Sequence, residues 1–319
     1  MKQIWKTGAF TARSTFSELL DAWLDSQKER CKTSTYTAYA QRAEKHLRPL
    51  LGNKRLRRLS ETDLRRVCAA MEGLSPATQQ GVLCVLRQIL DFGRSQGCEI
   101  DMPAELSRAL PDKRTVTVLE GDEVARLEAA LRSEPPLRGL GLRLCLYTGL
   151  RLGEICALRW GDLAPDGKSL RVERTVQRLR CEDGEKRTGL RLDTPKSGSS
   201  RRSVPIPETL AAELCALRGE ADTYLLTGTE RSMDPRTYQL YFQRVLQRAE
   251  VRRVNFHILR HTFATRCIDL GLDAKSLSRV LGHSDVSTTL NIYVHPDQRR
   301  LRECQERMIA EAMAGVKDK

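Results

Sequence analysis

Hydrophobic positions recur with helical spacing through the first hundred residues. Phe16, Leu19, Leu20, Trp23 and Leu24 follow i, i+3, i+4, i+7, i+8, the stripe of a helix with one buried face. Thr15, with Glu18 three residues on, forms a capping box ahead of it. A second helix is expected from near Ser34 to just before Gly52. A third starts at Ser60, with Asp63 three residues on, and carries Leu64, Val67, Cys68 and Met71. A fourth takes Ser75 as N-cap and Pro76 as its first residue, then presents Val82, Leu86, Ile89 and Leu90. Four short helices with polar connections predict a compact bundle over residues 12–97.

The pattern lapses over 98–118, where Pro103 and Pro111 fall, and this stretch reads as a linker. A longer second domain, 119–319, opens with helices over about 120–133 and 136–148. The texture then changes. Ser169–Leu179 and Thr188–Thr194 are rich in Val, Leu, Thr and Arg, and Arg201–Ile206 alternates, so three antiparallel strands are expected. Lys196 to Ser200 is a turn by composition. From about 208 the spacing is helical again. The fold class expected is mostly α with a small antiparallel β-sheet (α+β), in two domains.

Charge sharpens this picture. The chain of 319 residues carries 54 Lys and Arg against 41 Asp and Glu, a formal +13. The excess is spread, with +7 over residues 1–114 and +6 over 115–319, so it is not a basic tail. Such a balance suits a polyanion, because each neutralised phosphate releases condensed counterions. The densest short run is Lys54-Arg55-Leu56-Arg57-Arg58. The ten cysteines include no C-x-x-C pair, so no cysteine zinc site is expected. Cys68, Cys84 and Cys145 sit in apolar helical patterns, where a thiol acts as a small hydrophobe, and this usage fits a reducing cytoplasm. No run of 18 apolar residues occurs, so no membrane association is expected.

Four separated spots hold residues with chemical potential. Gly149 and Gly153 flank Arg151 just after an apolar helix, with Glu154 following. A tight turn there lets a permanently charged, planar guanidinium point into a cleft, suited to clamping a phosphate by two parallel bonds; taken alone, the string fits equally a helix–turn–helix corner with a surface arginine. Lys196 lies in the strand turn. His257 and Arg260 lie three apart and share a helix face. His257 and His261 have i, i+4 spacing but no intervening H-E-x-x-H glutamate, so they make a poor zinc site. Gly282 reads as a helix C-cap before His283, and ten residues later Tyr293 ends a stretch with Val286, Thr289, Leu290 and Ile292.

In this order the four spots resemble the tyrosine recombinase (phage integrase) family. The matching strings are TGLRLGEI at 148–155, TPKSG at 194–198, HILRHTFAT at 257–265 and LGHSDVSTTLNIY at 281–293. The resemblance covers essentially the whole second domain. The block at 12–97 is similar, more loosely, to the family's core-binding domain. The resemblance implies that Tyr293 is the nucleophile and that Arg151 and Arg260 clamp the phosphate. It implies that Lys196 protonates the leaving oxygen and that His257 helps move the tyrosine proton. His283 fills a position held by His or Trp, and Glu154 matches a carboxylate that supports the site. Neither cofactor nor metal is implied.

The partners implied are double-stranded DNA recombination sites, a homotetramer on that DNA, and accessory DNA-bending or directionality proteins. Leu301, Cys304, Met308, Ile309, Ala312 and Met313 would form one face of a C-terminal helix at about 298–315, which in related recombinases docks into a neighbouring protomer. An integrase of a bacterial mobile element is the favoured reading. A chromosome- or plasmid-dimer resolvase and a type IB topoisomerase-like enzyme are the alternatives. A non-catalytic DNA-binding regulator would be expected to have lost Tyr293 or an arginine, and has not.

Overall fold

The computed structural model describes residues 10–11, 13–98, 100, 117–180, 188–193 and 201–293, together with Arg302, Gln305, Glu306 and Met308. Lys196, most of the expected linker and the remainder of the expected C-terminal helix lie outside the described residues. The chain divides into two units, Met1–Arg114 and Thr115–Lys319.

In the first unit Thr15 opens α1 (Phe16–Arg30). Its hydroxyl accepts from the Glu18 N–H, and Glu18 accepts from the Thr15 N–H in return. The expected second helix is interrupted. It runs as α2 (Thr33–Arg42), a π-helical turn (Ala43–Leu47) and α3 (Arg48–Leu51). The break precedes Pro49, which has no N–H to give the carbonyl one turn back, so the ladder loosens there. Ser60 and Asp63 cap α4 (Glu61–Ala70), and Ser75 caps α5 (Pro76–Ser95). Phe16, Leu19, Leu20 and Trp23 of α1 pack in one core with Leu47, Leu51, Val82, Leu86 and Ile89. Trp23 alone is worth about 3–5 kcal/mol against truncation to Ala at such a site.

Two of the three cysteines expected to pack inside do not: Cys68 and Cys84 are exposed, and Cys145 is buried. The buried face of α4 is Asp63, Leu64 and Val67, and that of α5 is Val82, Val85, Leu86 and Ile89. Cys68 and Cys84 each lie one position off those stripes.

The second unit begins with α6 (Gly121–Leu131), α7 (Pro136–Thr148) and α8 (Leu152–Ala157). Among the described residues four strands follow, not three: β1 (Ser169–Val172), β2 (Thr175–Arg180), β3 (Thr188–Asp193) and β4 (Arg202–Pro205). They form two antiparallel pairs, β1 with β4 (Leu170 opposite Val204) and β2 with β3 (Gln177 opposite Arg191). The expected first strand is cut at Glu173 and Arg174, where the Arg174 guanidinium turns away to bond both oxygens of Asp162 at 2.6 and 2.5 Å. The strands are followed by α9 (Glu208–Ala216), α10 (Pro235–Arg248), α11 (Ile258–Asp269), α12 (Ala274–Leu281) and α13 (Val286–Tyr293), and the described residues Arg302, Gln305, Glu306 and Met308 are helical too. Leu142, Leu144 and Cys145 of α7 lie in a core with Tyr238 and Phe242 of α10. A smaller cluster joins Ala264, Leu277, Leu281 and Tyr293.

Candidate active site

Two glycines in the left-handed region set the backbone of the site. Gly149 (φ 67°) ends α7, and Gly282 (φ 66°) ends α12. A Cβ on Gly149 would lie 2.7 Å from both Leu281 Cδ2 and Phe263 Cδ1, so only glycine lets α11 and α12 approach this turn. The chain turns sharply and places Arg151 at the N-cap of α8.

Arg151 is held from three directions. Its N–H donates to Glu154 Oε2 at 2.9 Å, its Nη1 to Glu154 Oε1 at 2.8 Å, and its Nη2 to the Gly282 carbonyl at 3.0 Å. Glu154 is buried and is shared with a second arginine. Arg202 of β4 donates from Nη1 and Nη2 to the two carboxylate oxygens at 3.0 and 2.9 Å, and from Nε to the Val280 carbonyl at 2.5 Å. Burial by itself would raise the Glu154 pKa, but the Arg202 hydrogen bond and charge, with Arg151, hold it below the usual range. A buried carboxylate between two guanidiniums tolerates its desolvation because both oxygens are paired.

Arg260, in the first turn of α11, is 1% exposed. Its Nη1 donates to the Gly149 carbonyl at 2.8 Å, and its Nη2 has no partner among the described residues. Burial and the nearby charge of Arg151 pull its pKa down to about 9, so it remains a cation at neutral pH. A buried, half-bonded guanidinium is costly to keep unless an anion completes it.

Three imidazoles surround this cation. His257 caps α11 and packs its ring edge-to-face on His261, centroids 4.6 Å apart. Its ring reaches solvent, yet the surrounding protein and the charges of His261, Arg260 and Arg151 bring its pKa to about 4. His283 Nδ1 meets Thr289 Oγ1 at 2.8 Å, and burial with the charges of Arg260 and Arg151 brings it to about 4 as well. His261 Nδ1 meets the Tyr293 hydroxyl at 2.7 Å. Tyr293 is 6% exposed, and burial raises its pKa. The stripe expected on α13 is buried except at one position: Thr289 and Tyr293 face inward, Val286 and Ile292 are half-buried, and Leu290 is exposed. This i, i+4 pair, Thr289 and Tyr293, meets His283 and His261 through its hydroxyls, while the Tyr293 ring also packs against Ala264, Leu277 and Leu281.

The structure thus links six of the seven residues singled out in the sequence into one region. Arg151, Glu154, Arg260, His257, His283 and Tyr293 connect through hydrogen bonds, ring contacts and the Gly149 and Gly282 turns. Lys196 lies outside the described residues. Sequence reasoning missed Arg202, His261 and Thr289. Arg202 was legible in principle, since it shares strand parity with the buried Val204 and Ile206 and an arginine there needs a carboxylate. His261 was weighed only as a metal ligand.

Comparison with known proteins agrees with this geometry. Residues 117–300 match the phage integrase family, and residues 15–71 match the phage integrase N-terminal SAM-like domain. The chain is 30% identical to tyrosine recombinase XerC of Xanthomonas campestris pv. campestris, over 78% of this chain and 74% of that protein. It is 26% identical to the XerC-like tyrosine recombinase of Caldanaerobacter subterraneus subsp. tengcongensis, over 88% of this chain and 79% of that one. Among solved structures, the Tn1549 transposon integrase in complex with transposon right end DNA superposes with a TM-score of 0.78 at 21% identity, covering 93% of this chain and 100% of the other. A lambda integrase tetramer bound to a Holliday junction gives 0.68 at 18%, covering 90% and 80%. The chain belongs to the phage integrase family of tyrosine recombinases, DNA strand-exchange transesterases. Among the described residues no helix is long and apolar enough to cross a membrane.

Proposed function

We propose that this chain is the integrase-type recombinase of a bacterial mobile element, which cuts and rejoins double-stranded DNA through a 3′-phosphotyrosyl link on Tyr293. The observation that carries this reading is the Arg260 guanidinium, buried, charged and with Nη2 unpartnered among the described residues, beside a tyrosine held by an imidazole. A phosphodiester resists nucleophiles because its non-bridging oxygens carry negative charge. Arg260 and Arg151 neutralise that charge and stabilise the extra charge of the transition state. Glu154 and Arg202 keep Arg151 in place. His257 and His283, neutral at pH 7, donate hydrogen bonds to the same oxygens without adding competing charge.

The Tyr293 oxygen forms a bond to phosphorus as the bond to the 5′ oxygen breaks. The 5′ alkoxide takes a proton from Lys196, a role that rests on the TPKSG string alone. The phosphotyrosyl bond conserves the energy of the phosphodiester, so the free 5′-hydroxyl of a partner strand reseals it without a nucleotide cofactor. Exchange of one strand pair and then the other passes through a Holliday junction. This requires four protomers on two sites, with the segment at 298–315 exchanged between neighbours and accessory DNA-bending or directionality proteins choosing the outcome. The enzyme would work on DNA in the cytoplasm, at the nucleoid.

A chromosome- or plasmid-dimer resolvase is the second reading, favoured by the match to XerC over about three quarters of that protein. Sequencing the DNA around the gene separates the two, since an integrase gene lies beside an element end with a direct repeat. The chemistry is tested by covalent capture. The full chain, in EDTA, is mixed with nicked duplexes drawn from that flanking DNA. A denaturation-resistant protein–DNA adduct is expected, and Tyr293→Phe should bind the same duplex with near-normal affinity and form none. An adduct from Tyr293→Phe, or a strict metal requirement, overturns the reading.

A further inference from the structure

We propose that His261 is the catalytic residue that accepts the Tyr293 proton as the phenolic oxygen attacks phosphorus. The proposal rests on Tyr293 being the nucleophile. His257 is the imidazole that the family pattern assigns to this proton, but His261 Nδ1 is the nitrogen at 2.7 Å from the hydroxyl. His257 instead packs its ring perpendicular to His261, 4.6 Å between centroids, which fixes the plane in which Nδ1 points at the phenol.

The surroundings leave this imidazole as the acceptor. Tyr293 is buried in a cluster with Ala264, Leu277 and Leu281, with Phe263 packed alongside, so bulk water has little access to its oxygen. His283 is engaged elsewhere, through Thr289. With its own proton on Nε2, His261 presents a lone pair at Nδ1 to the hydroxyl. As the oxygen–phosphorus bond forms, the phenolic proton passes to Nδ1, the bond to the 5′ oxygen breaks, and that oxygen takes its proton from the separate donor. On religation His261 returns its proton to the departing phenolate, so the enzyme ends unchanged.

The same arrangement ties basicity to DNA. Without an anion, burial and the Arg260 charge hold the His261 pKa below its ordinary value, while burial holds that of Tyr293 above its own. Transfer is then strongly uphill, and the nucleophile rests as a neutral phenol. A phosphate seated on Arg260 and Arg151 offsets the positive field that disfavours imidazolium. The proton acceptor becomes competent when the scissile phosphate arrives.

The test is single-turnover cleavage by the full chain on the nicked duplex identified by covalent capture, with binding measured in parallel. His261→Asn places an amide near the position of Nδ1, keeping a hydrogen bond to Tyr293 but unable to take a proton. His261→Phe removes both. General-base catalysis of this kind contributes about 10²–10⁴-fold, so both variants should bind normally and cleave at least about a hundredfold more slowly. His257→Asn should be impaired less than His261→Asn. Wild-type cleavage by His261→Asn with slow cleavage by His261→Phe would mean that the imidazole only positions the phenol, and would overturn the proposal. So would a larger loss in His257→Asn than in His261→Asn. The Tyr293→Phe control separates the two readings. An adduct in that variant removes the nucleophile itself, whereas its absence together with full activity of both His261 variants removes only the proton acceptor.

Discussion

Each charged side chain at the site is set by what it touches. Among the described residues no carboxylate is hydrogen-bonded to Arg260, and its one bond goes to a backbone carbonyl, so its charge is open to an incoming anion. Arg151 has Glu154 as partner but is partly exposed, its side chain 34% accessible, and keeps further N–H donors for a phosphate. Replacing either by Ala should therefore slow cleavage by about 3 kcal/mol or more, a hundredfold or greater, with DNA affinity changed far less. Single-turnover adduct formation against a binding isotherm measures the split, and equal losses in both would contradict a transition-state role. The buried titratable groups also make stability depend on pH. Glu154 has a lowered pKa, so its contribution is complete above about 4.5 and is lost as pH falls through the folded value. His283, ordinarily near 6.5, is about 4 in the fold, so the unfolded chain takes up its proton first and stability falls between those values. Both act in one direction. The urea midpoint should drop as pH goes from 7 to 4, and His283→Asn should flatten the upper part of that drop, provided the variant folds. A midpoint independent of pH over that range would show that neither group is protected.

At the level of elements, the site is built from helix ends. The C-termini of α7 and α12 and the N-termini of α8 and α11 converge, and two left-handed glycines make the convergence short enough for Arg151 and Arg260 to reach backbone carbonyls. Gly149→Ala forces an L side chain into the left-handed region, at about 1–2 kcal/mol, and pushes its methyl against Leu281 and Phe263. The expected outcome is a melting temperature several degrees lower and a loss of cleavage beyond what stability explains, because the carbonyl of Gly149 is the contact that holds Arg260. Thermal melting with adduct yield measured well below the transition checks both, and unchanged yield would mean that the turn is not a support. The cut between β1 and β2 is another element-scale feature. Arg174 bonds Asp162 at the break, and β4, paired with β1, carries the Arg202 guanidinium to Glu154.

For the whole molecule, the charge of +13 is divided almost evenly between the two units, which fits a protein whose units both meet the DNA backbone. In the first unit the run at 54–58 resolves into distinct roles: Lys54 pairs with Asp63 at 2.8 Å, Leu56 is buried, and Arg57 and Arg58 are exposed. Replacing Arg57 and Arg58 by Ala should weaken binding similarly across sequences and reduce the slope of log affinity against log salt by about one to two. Titrations at several salt concentrations measure that slope, and an unchanged value would place this turn away from DNA.

Much of this protein was legible without coordinates because its signals are short-range. The capping boxes at Thr15 and Ser60, the Ser75-Pro76 start and the Gly282 C-cap act within four residues, so sequence alone places those helix ends. The order of Arg151, Lys196, His257, Arg260, His283 and Tyr293 identifies the family for a similar reason, since reaction chemistry limits which side chains stand there. Long-range pairing was decided only by the tertiary structure. Glu154 meets Arg202 across 48 residues, His261 meets Tyr293 across 32, and Arg151 meets Gly282 across 131. Helical spacing puts His257 and His261, i and i+4, on one face at the start of α11, but does not say which of them the phenol of a later helix will approach. That choice follows from packing Tyr293 against Ala264, Leu277 and Leu281, a cluster that exists only once α11, α12 and α13 have come together.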